Sequence, residues 1–239
     1  MLVEGRNAVD ELIKSSSTTI EKIMVQKDQR GDLVDRIKGS GVVYQFVEKV
    51  ALDRVSKTRN HQGFIAFVSD FKYSNLKSIV DGAYEAGKQP LLLILDGVED
   101  PHNLGNIVRT AECLGVDGIV LPKNRSAGVN STVSRVSAGA VSHMKICKIT
   151  NINTEIEALK KQGFWIYACE LGGSNLSQTN LLGPIAIVMG GEGQGVRTLT
   201  RSLVDGVVTI PMMGKVNSLN VGSATSIILY EIQRQRSTK

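Results

Sequence analysis

A chain of 239 residues, 42% hydrophobic and with only 5 prolines, has the composition of one large domain or two modest ones around a sizeable core, which excludes a disordered chain. The net charge of +5 permits nucleic-acid binding, but it is spread evenly: 12 basic against 10 acidic residues up to Lys72 and 16 against 13 beyond it, so any RNA affinity must come from local patches. The longest aliphatic runs, such as Leu91–Leu95, are too short to cross a bilayer, and the acid-bearing MLVEGRNAVDEL start has no apolar stretch of a signal peptide, so no membrane segment is expected.

Residues 5 to 68 read as a small α/β unit. Ala8, Val9, Leu12 and Ile13 have helical spacing, and the TIEKIMV run from Thr18 predicts a strand. A second helix is expected around Leu33–Lys38, stopped by Gly39 and Gly41. VVYQFV (Val42–Val47) and GFIAFV (Gly63–Val68) then read as short strands, with DRVSKTRNHQG between them as an exposed polar loop. In that loop Lys57, Arg59 and His61 are candidates for RNA phosphate contacts, against the plainer reading of a solvated loop. Residues 71 to 89 read as a linker containing a helix (Leu76–Ala86), ended by Gly87 and Pro90. The composition shift at Lys88-Gln89-Pro90 divides the chain into domains 1–70 and 90–239.

Beyond that boundary, strands alternate with helices. Strands are expected at Leu91–Leu95, Gly118–Leu121, Lys145–Ile149, Phe164–Cys169, Ile185–Met189 and Val207–Ile210. Helices fit Gly105–Leu114, Thr132–Ala140, Thr154–Lys161, Val196–Leu203 and Gly222–Gln235. Aliphatic strands between helices of this length predict a mostly parallel sheet covered on both faces, with ligands beyond the carboxyl ends of its strands. Cys113, Cys147 and Cys169 are widely spaced and form no CxxC motif or metal cluster, which fits core filling in a reducing cytoplasm and no metal.

The glycines of GGEGQG, at 190, 191, 193 and 195, follow a strand but do not form GxGxxG, and Lys215 is followed by Val216, so neither a dinucleotide fingerprint nor a Walker A loop is present. What remains is three polar loops after three strands. In the first, Asn103 or Asp100 can cap a helix whose buried face carries Leu104, Ile107, Val108, Ala111 and Leu114. At about 100° per residue Arg109 points away from that stripe. The second holds Glu192 among glycines, at a position that suits a helix start. In the third, Asn217, Ser218 and Asn220 precede a helix, and one of them is its N-cap. Taken singly, each of these residues has a structural explanation.

Taken together, PHNLGNIVRTAE (Pro101–Glu112), IVMGGEGQGV (Ile187–Val196) and IPMMGKVNSLNVGSATSIILYE (Ile210–Glu231) resemble the SpoU/TrmH branch of the SPOUT methyltransferases. The likeness is greatest to the RlmB-like enzymes that methylate a guanosine ribose in 23S rRNA. GRNAVDELI, HQGFIAFV and PKNRSA (Pro122–Ala127) resemble the same subgroup. The resemblance implies an α/β fold with a C-terminal SPOUT domain, its mostly parallel sheet closed by a deep trefoil knot, preceded by a small L30e-like RNA-binding domain. It implies an S-adenosylmethionine-dependent ribose 2′-O-methyltransferase working as a cytoplasmic homodimer on rRNA rather than DNA, with a tRNA methyltransferase or a non-catalytic ribosome-assembly factor as alternatives.

Carried over by position, Met189, Gly190, Gly191, Ile210, Pro211, Met212, Ser218 and Leu219 would bind the cofactor, the glycines by letting the main chain come close. The resemblance assigns Arg109 to the 2′-hydroxyl proton, as base or as phosphate clamp, with Asn103, Glu192, Ser218 and Asn220 orienting the reacting groups. His102 is the rival base. Lys123, Arg125 and Lys215 lie near the motif loops as candidate phosphate contacts.

Overall fold

The computed structural model describes residues 2–14, 19–56, 58–69, 71–193 and 195–237. The expected strand start at Thr18 and the candidate phosphate contact Lys57 lie outside them. The chain forms two compact units, residues 1–72 and 73–239.

The first unit runs β1 (Leu2–Glu4), α1 (Arg6–Lys14), β2 (Thr19–Gln26), α2 (Asp32–Gly39), β3 (Tyr44–Val47), α3 (Lys49–Val55) and β4 (Phe64–Ser69). Its sheet has the order β1-β4-β2-β3, with β2 and β3 parallel and the other pairs antiparallel. Strand alternation divides the core. Ile23, Val25, Phe64 and Ala66 pack with Val9 of α1 and Leu33 and Ile37 of α2, while Met24 and Ile65 pack with Leu52 of α3. That second layer corrects the loop expected from Asp53 onward: Leu52 has no solvent exposure, and its helix carries Asp53 to Val55 with it. His61 is also no phosphate contact. It is 4% exposed, bonded through Nε2 to Asp53 Oδ1 at 2.9 Å, and its Nδ1 accepts the Gly63 N–H at 3.0 Å.

The second unit comprises α4 (Leu76–Glu85), β5 (Leu91–Asp96), α5 (Pro101–Cys113), β6 (Gly118–Pro122), α6 (Ser131–Val136), β7 (Ile146–Ile149), α7 (Ile152–Lys161), β8 (Trp165–Asn175), β9 (Ile185–Gly190), α8 (Thr198–Leu203), β10 (Gly206–Thr209) and α9 (Val221–Ser237). Every pairing in its six-stranded sheet, ordered β10-β8-β9-β5-β6-β7, is parallel. Parallel strands need both faces covered, and β5 is buried at all six positions. Leu92 and Ile94 pack with Ile79 and Val80 of α4 and Ile156 and Leu159 of α7. The helix read as lying in a linker thus contributes to this core.

Two elements differ from expectation for local reasons. The helix expected over Thr132–Ala140 stops at Val136, because Ala138 (φ 50°) and Gly139 (φ 87°) take left-handed conformations, and a short 3₁₀ turn follows at Ala140–Ser142. β8 runs six residues past Cys169, its far half held to β10 by Thr209. That hydroxyl donates to the Glu170 carbonyl and accepts from the Gly173 N–H, both at 2.6 Å. From β5 the chain proceeds to β6 on one side, whereas β9 lies on the other. The carboxyl ends of β5 and β9 therefore meet at a topological switch point, with Asp96 opposite Gly190.

Candidate functional site

Three loops leave this switch point. Asp100 caps α5: its carboxylate accepts from the N–H groups of His102 (3.1 Å) and Asn103 (3.2 Å), and Pro101 occupies the first turn where no N–H is needed. Capping thus falls to Asp100 and leaves the Asn103 side chain free for other work. Asn220 caps α9 in the same way, its Oδ1 accepting from Gly222 N at 2.8 Å. Its Nδ2 donates to Asn103 Oδ1 at 2.8 Å and lies 3.4 Å from Glu192 Oε1, which also accepts from Asn103 Nδ2 at 2.7 Å. One residue from each motif, far apart in the chain, thus joins in a single hydrogen-bonded trio. Asn103 is 6% exposed, whereas Glu192 and Asn220 face solvent.

A crevice of ≈830 Å³ opens beside the trio. Met189, Gly190 and Gly191 form one wall, Ile210 and Met212 a second, and Ser218, Leu219 and Asn220 a third. Pro211 is exposed and outside these walls. The glycines serve the chain's own packing. A Cβ on Gly190 would sit 2.1 Å from the Gly195 carbonyl carbon, and one on Gly191 only 1.9 Å from the Gly97 oxygen. These positions press one backbone segment on another, and both glycines also line the crevice.

A second crevice, ≈530 Å³, shares Gly191, Glu192 and Gly195 with the first and adds Asp100, Asn103 and Arg125. Its base is Asp96, 1% exposed, whose carboxylate takes Arg197 Nε at 2.6 Å and Arg197 N at 3.2 Å, clamping β5 to the segment after the glycine loop. Lys123 lines a separate hollow with Lys77 and Lys148, and Lys215 is exposed on the third loop.

Arg109 stands apart. It is exposed on α5, makes no hydrogen bond or ion pair among the described residues, and lines neither crevice. His102 is exposed on the first turn of the same helix. Two charged residues of the crevice wall belong to no motif: Glu170 on β8 and Arg201 on α8, with Arg201 Nη1 3.3 Å from Glu170 Oε2. The signal in the sequence is an acid directly after the apolar run Phe164–Cys169, although β8 continues past it to Asn175.

Residues 90–230 match the SpoU rRNA methylase family, and residues 2–74 match the substrate-binding family of RNA 2′-O ribose methyltransferases. The chain belongs to the SpoU methylase family. It is 38% identical, over 99% of its length and 96% of the relative's, to a Staphylococcus saprophyticus protein described as a TrmH-family tRNA/rRNA methyltransferase. It is 39% identical to the 23S rRNA (guanosine-2′-O-)-methyltransferase RlmB of Photobacterium profundum, over 98% of each chain. Among solved structures, AviRb of Streptomyces viridochromogenes, a SpoU methyltransferase crystallised with AdoMet, superposes with a TM-score of 0.64 over 100% of this chain and 91% of its own; at 20% identity this likeness concerns the fold. The trio and the glycine-lined crevice both lie within the residues matched to the SpoU methylase family, 90–230.

Proposed function

We propose that this SpoU-family protein methylates a ribose 2′-hydroxyl in RNA from S-adenosylmethionine, with a guanosine of 23S rRNA as the substrate. The observation that carries the reading is the Asn103–Glu192–Asn220 trio, which borders the first crevice through Glu192 and Asn220 and the second through Asn103. DNA has no 2′-hydroxyl and is excluded as substrate by the chemistry itself. The fit of the cofactor rests on two features: apolar Met189, Ile210, Met212 and Leu219 to cover an aromatic ring, and a buried carboxylate oxygen of Glu170 without a hydrogen bond. When bound, S-adenosylmethionine supplies a methyl group on a positively charged sulfur.

The chain must then align a weakly acidic hydroxyl and dispose of its proton. The trio holds the Glu192 carboxylate in one orientation, with Oε2 left to accept from the ribose. Arg109 is the phosphate clamp. The exposed guanidinium offers a planar fork of N–H donors and is suited to hold a substrate phosphate whose oxygen takes the hydroxyl proton. Ser218, exposed at the rim, orients the same groups.

The working form is a homodimer in the cytoplasm. The free thiols Cys113, Cys147 and Cys169 suit a reducing compartment. In this reading the C-terminal domain carries a trefoil knot, residues 1–70 are the RNA-binding domain, 71–89 the connection and 90–239 the methyltransferase domain.

The test is methyl transfer to unmodified rRNA and tRNA, with the product mapped by mass spectrometry. Methylated guanosine ribose in 23S rRNA is the expected product. Exclusive labelling of tRNA would replace the substrate, and no transfer to either RNA, with no cofactor binding, would leave an RNA-binding assembly factor. Arg109→Ala should lower transfer by about 10²–10³ while S-adenosylhomocysteine still binds. A dead His102→Ala beside an active Arg109→Ala would reassign the proton to the imidazole.

A further inference from the structure

Three charged residues line the first crevice among the described residues: Glu170, Glu192 and Arg201. Glu192 is engaged with the two asparagines. Glu170 and Arg201 form a pair of another kind. Glu170 Oε1 accepts from Val196 N at 2.8 Å, which ties β8 to the end of the glycine loop. Its Oε2 is buried and has no hydrogen bond. Arg201 Nη1 comes within 3.3 Å of that oxygen but gives it no hydrogen bond, where a matched guanidinium and carboxylate would engage through two parallel N–H groups. The Glu170 side chain is 15% exposed and that of Arg201 51%, so the cation is free to turn toward the crevice while the anion is fixed.

Folded proteins leave few buried carboxylate oxygens without a donor. Anchoring Val196 needs only one oxygen, so the second has no structural use. A carboxylate and a guanidinium side by side, each short of hydrogen bonds, complement one common group: the ammonium and carboxylate of an α-amino acid. S-adenosylmethionine ends in that group, and apart from Glu192, engaged with the two asparagines, the rest of the crevice wall is glycine, apolar side chain, a thiol and neutral amide or hydroxyl.

We propose that Glu170 and Arg201 read the amino-acid end of the cofactor, the ammonium donating to Glu170 Oε2 in place of the guanidinium and Arg201 turning to donate to the cofactor carboxylate. This rests on the cofactor assignment of the proposed function. It makes the pair the element that separates the cofactor from nucleosides lacking the amino-acid tail.

The test is calorimetric titration of the full chain with two ligands that differ only at that end, S-adenosylhomocysteine and 5′-methylthioadenosine. The wild type is expected to prefer S-adenosylhomocysteine by about tenfold or more, the scale of one charge-assisted hydrogen bond. Glu170→Gln, which keeps an acceptor for Val196 N–H, and Arg201→Ala, on a half-exposed side chain, should each weaken S-adenosylhomocysteine about tenfold and leave 5′-methylthioadenosine unchanged. Equal losses for both ligands would make the pair a loop anchor only, and no loss for either would give it no part in binding; both results overturn the proposal while the cofactor assignment stands. A wild type that binds neither ligand overturns the cofactor assignment together with it.

Discussion

Asn103 spends its amide oxygen on Asn220 and one N–H on Glu192, so its truncation disturbs two partners at once. Asn103→Ala leaves the Asn220 amide and the Glu192 carboxylate each short of a bond, and because both face solvent the loss falls on their orientation more than on the stability of the fold. Methyl transfer should fall by about 10² while the dissociation constant for S-adenosylhomocysteine moves little, because Asn103 lines the second crevice and not the first. A parallel loss of binding, measured by calorimetry on the same sample, would contradict the assignment. The thiols offer a second residue-scale check. Burial pushes Cys147 and Cys169 up to about 12, with nearby Glu155 and Glu170 adding to the effect, so at pH 8 only about one part in ten thousand of either is thiolate. Cys113 is exposed. Brief iodoacetamide treatment of the folded protein at pH 8, followed by peptide mass mapping, should therefore label Cys113 alone, and the labelling of Cys147 and Cys169 should require denaturant.

At the scale of elements, the Asp96–Arg197 clamp is the contact most exposed to a single change. Asp96 has no side-chain exposure, so Arg197→Met leaves a buried carboxylate with only a backbone donor, and losing the charge-assisted bond from this half-exposed guanidinium costs about 1.5–3 kcal/mol. Urea unfolding should show the midpoint falling with no change in slope; an unaltered midpoint would mean the carboxylate finds water or another donor. This clamp also explains what could be read in advance. LLLIL reads as a buried strand from its residues alone, and the alternation of strands and helices gives a parallel sheet, because burial on both faces writes itself into composition. The pairing of Asp96 with a residue 101 positions later leaves no local mark. Helix ends were less legible: Asp100 and Asn103 were equal candidates for the cap until geometry gave Asp100 both N–H groups. The far half of β8 was missed because its support comes from Thr209, on another strand. The trio is legible only through resemblance, and Glu170 only as an acid after an apolar run, since spacing along the chain carries no record of which oxygen lacks a donor.

For the whole molecule, the unsettled surface is the one around the third loop and α9. Met213 is 98% exposed, Val216 73%, Tyr230 64%, and Leu219 and Ile227 41% each, all within eighteen residues of one another. For the proposed homodimer these side chains are the candidate contact, since exposed apolar patches mark protein–protein surfaces and a self-complementary one gives a two-fold dimer. The proposed mechanism gives such an arrangement a use. Arg109 lines neither crevice within its own chain, so a clamp working at the cofactor must act through a substrate spanning the gap or across a subunit boundary. Tyr230 lies on α9, exposed, with no hydrogen bond among the described residues, so Tyr230→Asp should leave the fold intact while placing a charge in the contact. Sedimentation equilibrium should show the wild type at twice the 25.8 kDa chain mass and the variant at the chain mass, with methyl transfer lost in proportion to dimer. If the variant sediments as a monomer yet transfers methyl at the wild-type rate, each chain is a complete enzyme, and Arg109 must reach the ribose through the RNA alone.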